Sequence, residues 1–478
     1  MKTFLPAVSC ALLLALAPAT RAAAVGSAPG APSAERATLM RDATADHANP
    51  FTIGRGYGLT GICRSLAVAD FNGDGANDLA VAQSNTRSIW IYLNDGTGGF
   101  AAGDSVALDE ASYSVVAADF DGDEHQDLAV TVATYPLPGR LLVLSGRGDG
   151  SFAPPRSYAA APRSGRVAAG DLDGDGLPDL VMSNYGFPES SPGSISVFLN
   201  RGPAGFADGV EYATGAGASG IAFVDLDRDG AQDLVIGNAM FGNTGEYTIT
   251  TWHNRGDGTL DVKTLYPADG VNGEVVAGDF DGDGWPDVAA SLYDGFDVFW
   301  NDGAGGFSGR DKHRGAAGGD YFRTLASSDV DRDGLPDLAI ASSSSRHGST
   351  IEWYRGAADR ALGPGGRYWF FPTWEGAWID FLRLADVDGN GTEDLVLSAV
   401  DLSYSGERGM LWVMRRVRGR VFEGFQDYDY RPTAPVPQGP ERFVNVATVD
   451  FERKGRSDLL VSDPGRLVLM RSESDGVL

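Results

Sequence analysis

Short runs of alternating apolar and polar residues recur along the chain, each broken by Gly, Asp, Asn or Pro. SLAVAD at 65–70 and RVAAGD at 166–171 are examples of a first run. DLAVA at 78–82 and DLVIG at 233–237 follow the break, and a third run comes next, as SIWIYLN at 88–94, SISVFLN at 194–200 or FDVFWN at 296–301. A Gly-rich turn ending in Phe or Leu (Phe100, Phe152, Phe206, Leu260, Phe307) then leads into a fourth run. Period-two alternation over short segments predicts strands, and no stretch carries a helical period long enough to compete. Four short strands per unit, with turn signals between them, is the pattern of a propeller blade.

The break between the first and second runs is itself a repeat. DFNGDGAND at 70–78 recurs as DFDGDEHQD at 119–127, DLDGDGLPD at 171–179, DLDRDGAQD at 225–233, DFDGDGWPD at 279–287 and DVDRDGLPD at 329–337. DVDGNGTED at 386–394 and a decayed DFERKGRSD at 450–458 complete the set, spaced 49 to 64 residues apart. The last unit ends after three runs, while FTIGRGYGLTG at 51–61 reads as a lone fourth run ahead of the first full unit. The expectation is an all-β chain forming a single β-propeller of eight four-stranded blades, its N-terminal strand completing the C-terminal blade so that no edge stays free. Seven blades is the alternative if the decayed unit packs differently.

Each loop carries oxygen side chains at positions 1, 3, 5 and 9, usually with Gly at position 6. The intact set is Asp70, Asn72, Asp74 and Asp78; Asp119, Asp121, Asp123 and Asp127; Asp171, Asp173, Asp175 and Asp179; Asp225, Asp227, Asp229 and Asp233; Asp279, Asp281, Asp283 and Asp287; Asp329, Asp331, Asp333 and Asp337; and Asp386, Asp388, Asn390 and Asp394. Hard oxygens at alternate positions of a tight turn converge on one point, with Gly permitting a positive φ. Ca²⁺ is the cofactor this predicts, since Mg²⁺ demands stricter octahedral geometry and no soft ligand argues for zinc. The plainer reading, a polar hairpin turn, leaves several carboxylates repelling one another in a partly dry turn. Two loops depart from the pattern: Glu124 replaces the position-6 Gly in the second, and Glu452 and Lys454 stand at positions 3 and 5 of the eighth, which is expected to be metal-free.

Charge and composition narrow the partners. The net charge of −27 opposes binding to nucleic acid. Residues 1–24 read as a signal peptide, with Lys2 ahead of an apolar run at 11–17 and small residues at 22–24. Residues 25–48 read as a flexible Ala/Pro/Ser-rich linker, and 49–478 as the propeller. The run at 11–17 is too short to span a bilayer and no later segment is apolar enough, so a secreted or periplasmic product is expected. Cleavage of the leader removes Cys10 and leaves only Cys63, which excludes a disulfide framework.

These loops and runs resemble the FG-GAP/VCBS repeat family over roughly residues 51–478. The chain is similar to the calcium-loop propeller of integrin α-chains, to secreted bacterial repeats and to fungal propeller lectins. The resemblance implies a ligand face formed by the 2–3 and 4–1 connections, opposite the acidic loops. Tyr135, Tyr185, Phe187, Phe241, Tyr293 and Tyr404 are expected there, beside Trp374 and Trp378 in a 4–1 connection. Aromatic rings beside polar groups suit sugars or a protein surface. The expected function is a non-catalytic module for a glycan or an extracellular or periplasmic protein, with a calcium-dependent polysaccharide lyase or a cell-envelope scaffold as alternatives. The RGD triplets at 147–149 and 255–257 fall in repeated 3–4 turns and carry no adhesive meaning here.

Overall fold

The computed structural model describes residues 51–58, 63–83, 86–94, 100–132, 138–185, 193–238, 247–269, 271–292, 295–314, 321–329, 333–344, 348–358, 360, 362–369, 377–385, 394–401, 408–417, 420–430, 445–449, 458–463 and 466–472. Side-chain surroundings are described within residues 65–363. Among the described residues the strands form eight four-stranded antiparallel sheets. One 3-10 turn, Gly202–Ala204, is the helical element among them.

Sheet 1 runs through Cys63–Ala69, Asp78–Gln83, Ser88–Asn94 and Phe100–Ala107, each strand beside the next. The same up-and-down order builds sheet 2 within residues 112–159, sheet 3 within 164–213, sheet 4 within 218–268, sheet 5 within 271–314, sheet 6 within 321–369 and sheet 7 within 377–430. Sheet 8 takes three strands from the C-terminal segment, Asn445–Val449, Asp458–Asp463 and Arg466–Ser472, and its fourth from Phe51–Gly58. That last pairing is antiparallel, with Phe51 opposite Ser472 and Tyr57 opposite Leu467.

The acidic loops fall at one point of register throughout. The residue ahead of position 1 pairs with position 9, as Ala69 with Asp78, Ala118 with Asp127, Gly170 with Asp179 and Gly278 with Asp287. Position 9 is thus the first residue of the second strand. Second strands such as Asp127–Val132 are buried along their whole length. Their near-continuous apolar sequence follows, because both faces of each sheet are covered by a neighbour.

The core lies between consecutive sheets. Ile89, Ile91 and Ala80 of sheet 1 pack with Leu128, Val130 and Leu142 of sheet 2. Val235 and Ile249 of sheet 4 pack with Val288 and Phe299 of sheet 5. Loop position 2 anchors each junction: Phe71 meets Phe152 of the next sheet edge-on at 5.5 Å, and Phe120 meets Phe206 in the same way. The Phe or Leu that ends each 3–4 turn is therefore the partner of the preceding loop, which explains its recurrence. First strands also carry an irregularity in register, between Cys63 and Ser65 and again between Ser112 and Ser114. Beyond it, Ser65 and Ser114 turn their hydroxyls to accept the amides of Val115 and Val167 in the following sheet.

Candidate metal centres

Each acidic loop is wound by its own carboxylates. At position 1, Asp171 accepts the amides of Gly174 (2.8 Å) and Gly176 (3.0 Å), and Asp119 accepts those of Gly122 and Glu124. At position 5, Asp123, Asp175, Asp229, Asp283 and Asp333 each accept the amide two residues on. Such short-range bonds from Asp to backbone favour a turn over a continued strand. Position 6 holds a positive φ, +80° at Gly75 and +87° at Gly176, and Glu124 is forced to +69° at the same place. A side chain there is strained, as the sequence led us to expect.

Position 9 does more than its spacing suggested. The buried Asp179 accepts Leu172 N–H at 2.8 Å with one oxygen and Asn200 N–H, at the end of the third strand, at 2.6 Å with the other. Asp78, Asp127, Asp233 and Asp287 repeat this clamp. In sheet 6 the buried Asp337 accepts the amide of Gly356 at the matching third-strand end. The Asn at that strand end continues the chain of contacts. Asn254 Nδ2 donates to Leu172 O of sheet 3 at 2.7 Å and to Gln232 O at 3.0 Å, while its Oδ1 accepts Gly256 N–H. Asn200 and Asn301 make the same cross-sheet bond to Phe120 O and Leu226 O. Loops 2, 3 and 4 are thereby fastened to the sheets that follow them.

The carboxylates of these turns are crowded together. In loop 2 Asp119, Asp121 and Asp127 bring carboxylate oxygens within 4.8 Å of one another, and loops 3, 4 and 5 do so through Asp171, Asp173 and Asp179, through Asp225, Asp227 and Asp233, and through Asp279, Asp281 and Asp287. Asp121 Oδ1, Asp173 Oδ1, Asp225 Oδ1 and Asp279 Oδ1 are buried without a hydrogen-bond donor. Burial, with the fields of nearby carboxylates, outweighs the two backbone donors and pushes Asp78, Asp127, Asp179 and Asp233 up to about 6, and Asp287 to about 7. Carboxylate donors, joined by the His253 ring nitrogen only in loop 4, together with the crowding and the orphaned oxygens fit a hard divalent ion such as Ca²⁺.

The loops are not alike. Asn72 stands at position 3 of loop 1, its Oδ1 accepting Asp74 N–H and its Nδ2 donating to Asp74 Oδ2. Arg201 lies 2.9 Å from Asp173 in loop 3. His253 sits between Asp227 and Asp261, at 2.9 and 3.1 Å; burial works against its charged form, but the Asp261 hydrogen bond and the surrounding carboxylates lift its pKa above the ordinary value. In loop 6 Asp329 accepts Gly334 N–H, whereas Asp331 lies outside the described residues. Asp386, Asp388 and Asn390 of loop 7 and residues 450–457 of loop 8 lie outside them as well, and Asp394 and Asp458 are described only as the first residues of their strands, paired with Ala385 and Val449.

The expected ligand face is corrected at two positions. Tyr185 is 7% exposed and packs edge-on to Tyr113 at 6.5 Å, so its ring fills space beside the first strands and does not project. Trp378 belongs to the first strand of sheet 7, Ala377–Ala385, opposite Val400, and not to a connection. Tyr135, Phe187, Phe241, Tyr293, Trp374 and Tyr404 lie outside the described residues.

An all-β chain of repeated four-stranded sheets, with acidic loops that in sheets 2 to 4 are latched to the next sheet, defines a repeat protein of the propeller kind. Family comparison agrees: FG-GAP-like repeats match residues 70–130, 279–340 and 329–397, and an FG-GAP repeat matches 165–198. The chain carries FG-GAP and FG-GAP-like repeats, consistent with an FG-GAP repeat family. Among solved structures it is similar to the Dos1 propeller, with a TM-score of 0.52 and 9% identity over 89% of this chain and 96% of that one. It also matches an Agrocybe aegerita lectin that recognises non-reducing terminal N-acetylglucosamine (TM-score 0.42, 16% identity, 66% of this chain and 80% of that one). Sqt1 of Chaetomium thermophilum matches with a TM-score of 0.46 and 15% identity, over 69% and 78% of the two chains. At these identities the likeness is one of fold. No helix among the described residues is long and apolar enough to cross a membrane.

Proposed function

We propose that the protein is an exported, calcium-stabilised β-propeller that acts as a non-catalytic binding module for a glycan or a protein. The observation that carries this reading is the recurrence, in loops 2 to 4, of three carboxylates within 4.8 Å of one another. A turn that crowds charge in this way is stabilised at neutral pH by a counter-charge, and a divalent ion is the one these oxygen ligands suit. The eight sheets are read as eight blades of one ring. Two features support that closure: Phe51–Gly58 completes sheet 8, and the first strand of sheet 8 lies against the first strand of sheet 1. Residues 1–24 serve as the export leader in this reading, and 25–48 as the tether.

A binding role is favoured over catalysis because the strongly shifted carboxyls are already committed. Asp78, Asp127, Asp179, Asp233 and Asp287 each hold two backbone amides, and an acid or base spent on a clamp is not available to a substrate. The partner is assigned to the face opposite the acidic loops, where the 2–3 and 4–1 connections lie and where Trp374 is the best remaining aromatic anchor. A glycan array run with and without calcium tests this. Binding is expected in millimolar calcium and should vanish in chelator. Trp374→Ala should weaken it about thirtyfold, with the melting curve unchanged. A blank array from calcium-loaded, cooperatively melting protein would remove the glycan reading.

A further inference from the structure

Arg360 stands where other sheets place a glycine. Gly150, Gly258 and Gly305 occupy the corresponding position of the 3–4 turn in sheets 2, 4 and 5, with φ of +82°, +75° and +78°. In sheet 6 the turn lies between Gly348–Arg355 and Gly363–Trp369, and Arg360 takes the same left-handed conformation at +61°. That position can face the preceding acidic loop: a Cβ built at Gly305 would come within 3.0 Å of Asp227 in loop 4. A long cationic side chain placed there has a ready set of carboxylates to meet.

The contacts are specific. Arg360 Nε donates to Asp281 Oδ2 at 2.8 Å and Nη2 donates to Asp283 Oδ2 at 2.9 Å, so one guanidinium spans positions 3 and 5 of loop 5. It also reaches Asn301 O and Ser308 Oγ, both at 3.3 Å. The remaining oxygens of the pair are taken as well, Asp281 Oδ1 by Asp283 N–H and Asp283 Oδ1 by Trp285 N–H. Asp281 is 3% exposed, so the pair is shielded from water on its Asp281 side, while Asp283 stays partly exposed. Loop 5 keeps one orphaned oxygen at position 1, Asp279 Oδ1, whereas in loop 3 Arg201 meets one oxygen of Asp173 and leaves Asp173 Oδ1, at position 3, without a donor. A planar guanidinium matches two carboxylates where a single point charge would not.

We propose that Arg360 is the built-in cation of loop 5: its guanidinium holds the carboxylates that a metal ion holds in the other intact loops, and it ties sheet 6 to sheet 5 without calcium. The inference rests on the calcium reading of those other loops. It makes loop 5 a permanent junction, whereas the junctions at the other intact loops respond to calcium.

Arg360→Gly tests it, because glycine is the residue the turn accepts in neighbouring sheets and the variant keeps the backbone. Bound calcium per chain and melting in excess chelator are measured for the full-length wild type and the variant. The variant should bind one more calcium ion per chain than wild type. It should also melt several degrees lower in chelator, with that deficit shrinking in millimolar calcium. Equal, non-zero calcium counts would overturn the Arg360 assignment while leaving the calcium reading intact. A variant that melts higher in chelator would overturn it too, since relief of the left-handed strain would then outweigh the lost ion pair. A wild-type protein that binds no calcium would remove the underlying reading, and this assignment with it.

Discussion

In excess chelator the protein should melt about 10 °C or more below its value in millimolar calcium. Loops of the extracellular type bind at roughly 0.1–1 mM, so about 5 mM calcium adds on the order of 1–2 kcal/mol per ion, and about six ions act together. The loss is expected to be cooperative. Loops 1 to 5 touch the sheet behind them through their position-2 side chain and carbonyl, which the next sheet's Asn or turn amide meets, as Phe71 O accepts Gly150 N–H and Leu172 O accepts Asn254 Nδ2. Releasing the ion frees a turn that holds two sheets together.

The same scan carries a pH dependence whose direction follows from the raised carboxyls. In the metal-free fold burial pushes Asp78, Asp127, Asp179 and Asp233 up to about 6 and Asp287 up to about 7, against an ordinary aspartate value of 3.8. Between these limits the folded chain holds more protons than the unfolded one, so stability falls as pH rises through the window. In chelator the melting temperature should therefore drop from pH 5 to pH 8. In calcium the trend should vanish or reverse, because the ion favours the ionised form. A melting temperature in chelator that is flat across this range, or equal to that in calcium, would count against a structural ion.

Asn254→Ala is expected to cost about 3 kcal/mol, which is large for one surface-distant polar residue. The side chain is fully buried, and its removal strands Leu172 O and Gln232 O, each left without a donor at a cost of about 1–3 kcal/mol. Because one of these carbonyls belongs to sheet 3 and the side chain to sheet 4, the loss loosens the junction between them. The effect should persist in chelator, since Asn254 meets backbone and no acidic side chain through Nδ2. Chemical denaturation of wild type and variant measures it. A difference within about 0.5 kcal/mol would mean that the latch contributes nothing beyond what solvent replaces.

Much of this was legible in the sequence because it repeats. The period of the acidic loops, the alternation around them and the Phe or Leu after each Gly-rich turn all mark the same strand ends that the structure displays. The left-handed backbone at Glu124 was legible too, since a glycine is missing where seven other loops keep one. What stayed hidden depends on partners far along the chain. The donors to the position-9 carboxylates come from strands 14 to 21 residues away, as for Asp287 with Asn301 and Asp179 with Asn200. Arg360 meets Asp281 across 79 residues and a sheet boundary. A signal existed in hindsight, namely an arginine in the slot of a turn glycine, but only the packed sheets show what it faces. Tyr185 was misplaced for the complementary reason: an aromatic at the end of a second strand looks exposed until Tyr113 of the preceding sheet is set against it.

The account rests on the acidic loops being ion sites, and counting the ions tests that most directly. Full-length protein equilibrated in millimolar calcium, freed of unbound metal by gel filtration in the same calcium activity and analysed by atomic emission, should retain about six calcium ions per chain, one for each intact loop other than loop 5. Two or fewer would contradict it, and would return the acidic turns to the status of polar hairpins.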